Sequence, residues 1–322
     1  MQPIPLQNSE YLRLAIPAIY SPANETTGAV RNAVLRVALA ALLCLLCACS
    51  PRLLLVQGAA NELARQNQAS ETDPWLARDA GAFYLKLAES LLQEVPDNAA
   101  LAEAVAGGFT QYAYAFVSAE ADRIESKDSR AAQKLRQRAA AMYGRAHRHA
   151  MTALERQQPG FAVALASRDA AHWPRLSQAQ IGLVYWAAAS WGGRIANSKD
   201  DPEIVADLPL AIRLARLAWQ QAPAHGAGAL ASLMGTFEVA RPGGSTEQAL
   251  AYFDQAILIG GASNAGAFVA KAEGIALPAA DRSAFDALLR QALAAGLLRT
   301  DLQNAVMGER AQWLLDSSDD LF

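Results

Sequence analysis

Cysteine is nearly missing from this 322-residue chain. The three present, Cys44, Cys47 and Cys49, fall within six positions, and none follows. That excludes a disulfide framework, and it excludes a cysteine nucleophile in the remainder. Histidine is almost as scarce, with only His147, His149, His172 and His225. His147 and His149 stand two apart, which on a helix turns them to different sides, so they make a poor metal pair. The expectation for both is an exposed helix surface. There is no glycine-rich phosphate loop ending in Lys-Ser/Thr, no G-x-S-x-G and no H-E-x-x-H. No enzyme activity, metal or cofactor is therefore expected. Charge is modest as well, at 18% with a net of −3, a balance unsuited to nucleic acid. The locally basic stretch from Arg123 to Arg148 has helical spacing and reads as a solvated face.

What is abundant is alanine and leucine, with 52% of residues hydrophobic, and that bias favours helices. Near the start, Arg31 and Arg36 precede an apolar run, Val37–Ala48. It is too short to span a membrane, which takes about 20 residues, but it suits a secretory signal. Of the three cysteines, only Cys49 has a small residue immediately before it and a leucine three positions back, in Leu46-Cys47-Ala48-Cys49. Residues 1–48 are accordingly expected to be a signal region and Cys49 the lipidated first residue of the mature protein. Residues 1–29 read as a start assigned too early, with initiation near Val30. Thioether-linked and amide-linked acyl chains would together give the multi-chain anchoring that one chain cannot. Ser50, where an inner-membrane protein would favour Asp, points to the outer membrane, facing the periplasm.

From residue 49 onward a single all-α domain is expected, 49–322. Amphipathic segments separated by Pro, Gly, Asn and Asp predict helices over 52–66, 74–94, 98–124, 129–156, 160–169, 176–197, 203–221, 227–240, 245–259, 263–276, 281–295 and 300–316. A frame recurs within them at i, i+4 and i+7. Ala211, Ala215 and Ala218 fit it, as do Ala249, Phe253 and Ala256, then Ala146, Ala150 and Ala153, and finally Tyr84, Ala88 and Leu91. In three of the four a proline follows (Pro223, Pro159, Pro96); the second closes on Gly261. Small residues at this spacing let two helices approach closely. The pattern predicts a TPR-like helical-hairpin array, an α-α superhelix.

Two aromatic clusters are the candidates for a site. Phe109, Tyr112 and Phe116 recur at i, i+3 and i+7; Tyr185, Trp186 and Trp191 form the second patch, followed by Gly192-Gly193. Core packing and a ligand cavity both fit such stripes. Arg194 and Asn197, one turn beyond Trp191, are the groups that would meet a ligand carboxylate, although Asn197 equally suits a helix end. If the cavity reading holds, Trp191→Ala weakens ligand capture more than it lowers stability.

Several phrases taken in order, "GFTQYAYAFVSAEAD", "GLVYWAAASWGGRIANSKDDPEIVADLPLAIRLARLA", "GGSTEQALAYFDQAI" and "NAVMGERAQWLLD", resemble the T component associated with tripartite ATP-independent periplasmic (TRAP) transporters. The resemblance runs from about residue 51 to 318. It implies a periplasm-facing TPR-like lipoprotein that partners the transporter's solute-binding P component and helps deliver small hydrophobic molecules. It also implies oligomers, trimers among them. A general TPR scaffold lipoprotein, binding proteins or peptides in envelope assembly, is the alternative.

Overall fold

The computed structural model describes residues 30–38, 51–65 and 71–322; Cys44, Cys47 and Cys49, with the lipidation they were expected to carry, lie outside these. Its contacts divide the chain into a unit up to Leu54 and one from Leu55 to Phe322. Among the described residues every regular element is helical, so the chain is all-α. No helix among them is long and apolar enough to cross a membrane.

In chain order the longer elements are α1 (Pro51–Arg65), α2 (Pro74–Glu94) and α3 (Ala99–Tyr112), the latter running through a π-helical turn (Ala113–Ser118) into α4 (Ala119–Ile124). Next come α5 (Ser129–Gln157), α6 (Phe161–Ala166), α7 (Ile181–Ala196), α8 (Pro202–Val205), α9 (Leu208–Gln221), α10 (Ala229–Ala240) and α11 (Thr246–Gly260). Then α12 (Ala265–Lys271) passes through a second π turn (Ala272–Ala276), followed by α13 (Arg282–Leu298), α14 (Leu302–Asp316) and α15 (Ser318–Leu321).

The starts follow one local rule. Asp73, Asn98, Asp128, Ser245, Asp281 and Asp301 each turn a side-chain oxygen onto a backbone N–H of the next turn, as Asp73 does to Trp75 at 2.9 Å. These side chains satisfy amides that a helix start leaves without partners. Short connections make neighbours pack as hairpins: α2 on α3, α3 and α7 on α5, α9 on α7, α10 on α11, α13 on α14. The repeated frame is the packing face. Ala211, Ala215 and Ala218, then Ala249, Phe253 and Ala256, and likewise Ala146, Ala150 and Ala153, are all buried.

Two apolar cores result. The larger extends from Ala60 to Phe237; the smaller holds Ala265, Phe268, Phe285, Leu289 and Leu314 in α12–α14. Where they meet, Ala231, Ala256 and Ala267 touch through small surfaces.

Some expected helices came out differently. The segment 203–221 is two helices, α8 and α9, because Pro209 in the first turn of α9 favours a fresh start. The segment 160–169 stops at Ala166 and gives way to a 3-10 turn at Ala170–His172. The π turns, each adding one residue to a helical turn, leave no mark in a periodicity this short.

Candidate functional site

Helix α7 is the crossing point of the larger core, and glycine makes that possible. A Cβ on Gly107 of α3 would stand 2.8 Å from Trp186 Cε2, and one on Gly193 would run into the Tyr143 ring of α5. Each ring therefore lies in the place of a missing side chain, which brings the helices together at aromatic thickness.

The sequence-selected aromatics do not gather into one cluster. Phe109 is only 4% exposed; its ring lies under the Arg145 guanidinium at 5.2 Å and beside His149 at 6.4 Å. Tyr112, at the end of α3, packs edge-on to Phe116 inside the first π turn at 5.1 Å. Tyr185 and Trp186 meet edge-to-face at 4.7 Å, and Tyr185 also meets His225 at 5.3 Å. Trp191 is 7% exposed, lies 4.4 Å from His147 and donates from its indole nitrogen to Asp207 at 3.2 Å.

The polar candidates separate in role. Asn197 ends α7: its side-chain amide donates to Gly193 O at 2.8 Å, and its oxygen accepts the Ser118 hydroxyl at 3.0 Å. Arg194 is half-buried, with its methylenes against Gly144, and its guanidinium has no acceptor among the described residues.

Three groups that sequence reasoning missed complete the surroundings. His147 is half-buried, and its Nδ1 pairs with the Ala187 carbonyl at 3.0 Å. Burial holds its pKa below the ordinary value. His149 is likewise half-buried, with Nε2 on Glu89 at 2.8 Å. The expectation of exposed histidines was thus wrong. The alanine frame turns Ala146 and Ala150 inward, and the intervening positions lie at the edge of the same buried face. Glu103, whose carboxyl lies against Gly182 at the start of α7, has no hydrogen-bond partner among the described residues, and burial raises its pKa. Burial also pushes the Tyr185 hydroxyl up to about 12 and the His225 imidazole down.

At pH 7 the region around Tyr185, Trp186 and the buried Trp191 therefore holds neutral rings, with the guanidinium of Arg194 one turn away and Arg148 beside it. Such a surface suits apolar molecules carrying one polar or anionic end. A recess of about 160 Å³ near the α2–α3 turn, lined by Pro96, Asp97, Ala99, Ala153, Arg156 and Gln157, includes none of these aromatics. No cluster of His, Cys, Asp and Glu able to hold a metal occurs among the described residues.

A family model described as TRAP transporter T-component matches residues 70–322. The chain belongs to the TRAP transporter T-component family. The T component is a transporter accessory, which gives this chain an accessory role in a TRAP system and a periplasmic or membrane-associated setting. A protein of Treponema pallidum (strain Nichols), described as an uncharacterized protein, is 25% identical over 262 residues, covering 78% of this chain and 81% of the relative.

Proposed function

We propose that this T component is a lipoprotein anchored through Cys49 to the outer membrane, facing the periplasm. It docks onto the transporter's solute-binding P component and takes a small hydrophobic molecule against the aromatic face of α7. One observation carries the reading: the family match extends over nearly the whole helical array, including α7. The ligand part is supported by the neutral, partly buried rings of Tyr185 and Trp186, which pack on the core that holds Trp191, and by the guanidinium of Arg194. Phe109, Tyr112, Phe116 and Asn197 support that face from α3, the π turn and the end of α7 rather than touching the molecule.

Burial alters one earlier expectation. Trp191 belongs to the main core, so truncating it costs stability and obscures any binding effect. Arg194→Ala is the cleaner probe. Native mass spectrometry of the full chain, purified from its own membrane, tests the ligand part. A lipid-like adduct that Arg194→Ala loses without a change in melting temperature supports the reading. A clean apo mass from the unaltered protein contradicts it. Acyl-chain labelling that persists in Cys49→Ala would contradict the anchor.

A further inference from the structure

We propose that the contact between the C-terminal helix α14 and the α3–α4 segment is a releasable polar clasp, across which the α12–α14 body opens from the larger body about the alanine joint at Ala231, Ala256 and Ala267.

Apart from the alanine joint and a packing contact of α14 on α2, the two bodies meet at this seam. The larger core and the α12–α14 core are separate apolar clusters, and among the described residues no apolar cluster spans the seam. The side-chain links across it are polar. Arg310 of α14 reaches Asp122 of α4 at 2.8 Å with one arm, while the other holds Glu273 of the second π turn at 2.7 Å. Arg123 reaches Glu309 at 3.5 Å, and the Tyr114 hydroxyl of the first π turn donates to Met307 Sδ at 3.8 Å. Arg136 backs Asp122 from the other side at 3.3 Å. The partners lie 186 to 193 positions apart in the chain.

This seam is poorly closed for something permanent. The Arg310 Nε is buried without an acceptor, although the guanidinium lies over Trp313 at 4.6 Å. The Tyr114 donor has only a thioether, a weak acceptor. An unsatisfied buried N–H, a weak thioether acceptor and an ion pair that must be desolvated leave the closed form with little net advantage. Opening hydrates all of them at once.

Both π turns found among the described residues supply the seam, Tyr114 from one and Glu273 from the other. Such turns often mark places where a helix must adapt. The joint opposite is made of alanines, with Phe253 seated between Gly235 of α10 and Gly274 of the second π turn. Apart from the Phe253 ring, the joint is built of small surfaces that rotation need not unthread.

The test uses the full chain and a single added cysteine, Met307→Cys, at the half-buried position that meets Tyr114 across the seam while its inner side packs on the α12–α14 core. Ala311→Cys, one turn on and fully buried in that core, is the control. The rate of N-ethylmaleimide labelling at each position is read by peptide mass spectrometry. With Arg310→Gln also present, labelling at 307 is expected to accelerate about tenfold or more, while 311 stays slow, because one arm of the clasp is gone. Arg123→Ala, at a more exposed pair, serves if Arg310→Gln fails to fold and is expected to give a smaller acceleration at 307 alone. An unchanged rate at 307 in every folded variant overturns the proposal. Parallel acceleration at 307 and 311 also overturns it, since that reports unfolding rather than opening.

Discussion

The α7 crossing and the α14 seam join helices by opposite means. At the crossing, side chains are removed: Gly107 and Gly193 vacate the places that Trp186 and Tyr143 fill. At the seam, charges are added, and Arg310 is stretched between Asp122 and Glu273. A close-packed aromatic contact has no second arrangement of similar energy, since any gap forfeits dispersion over a whole ring. An ion pair has an alternative partner always at hand, which is water. The comparison teaches that the aromatic face of α7 is fixed, while the long-range closure of the array is conditional.

That contrast can be attacked in steps. The largest effect is expected from Phe253→Ala, because the ring is 1% exposed and wedged between two glycines. Chemical denaturation should report a loss of about 3–5 kcal/mol.

Next is Glu89, the polar tie inside the larger body. Burial by itself would raise its pKa, but hydrogen bonds from Arg145, Lys86 and His149, with the charge of Arg145, outweigh burial and leave it at about 2 instead of 4.5. A carboxyl whose folded value is depressed stabilises the fold above its unfolded pKa, and that contribution is lost as pH falls through the folded one. Glu89→Gln is therefore expected to cost about 1.5–3 kcal/mol at pH 7. It should also flatten the stability profile between pH 4.5 and about 2. An acid profile identical to that of the unaltered protein would mean Glu89 is not tied as described.

Third, Gly193→Ala places a methyl into the Tyr143 ring and should lower stability by about 1–3 kcal/mol, read as a shift in denaturation midpoint. A neutral or stabilising result would show that the crossing is loose and would erase the contrast with the seam. The smallest effect belongs to Arg282→Ala, which removes a surface pair with Asp319 whose side chains are 51% and 88% exposed. Less than about 0.5 kcal/mol is expected there.

Much of the fold was legible because alanine is informative when it recurs in register. Ala211, Ala215 and Ala218 are buried for the reason their spacing suggested, and the capping residues Asp73 and Ser245 announced two of the helix starts. Resemblance to the T-component family was legible from the order of whole phrases, and the family match bears it out. The two π turns were not legible, since one extra residue in a turn is invisible to a 3.6-residue period. Nor was the seam, since Asp122 and Arg310 are separated by 188 positions and neither carries a local sign of the other. The candidate site was only half readable. Aromatic spacing found Trp186 and Trp191, but the partners His147, His225 and Glu103 come from other helices.

Transporter partnership is the central claim, and titration calorimetry between the full chain and the purified solute-binding P component tests it most directly. Saturable binding of the P component, absent with an unrelated periplasmic binding protein, is the predicted result. No binding heat up to the solubility limit of either protein, in the presence and absence of transported solute, would contradict it.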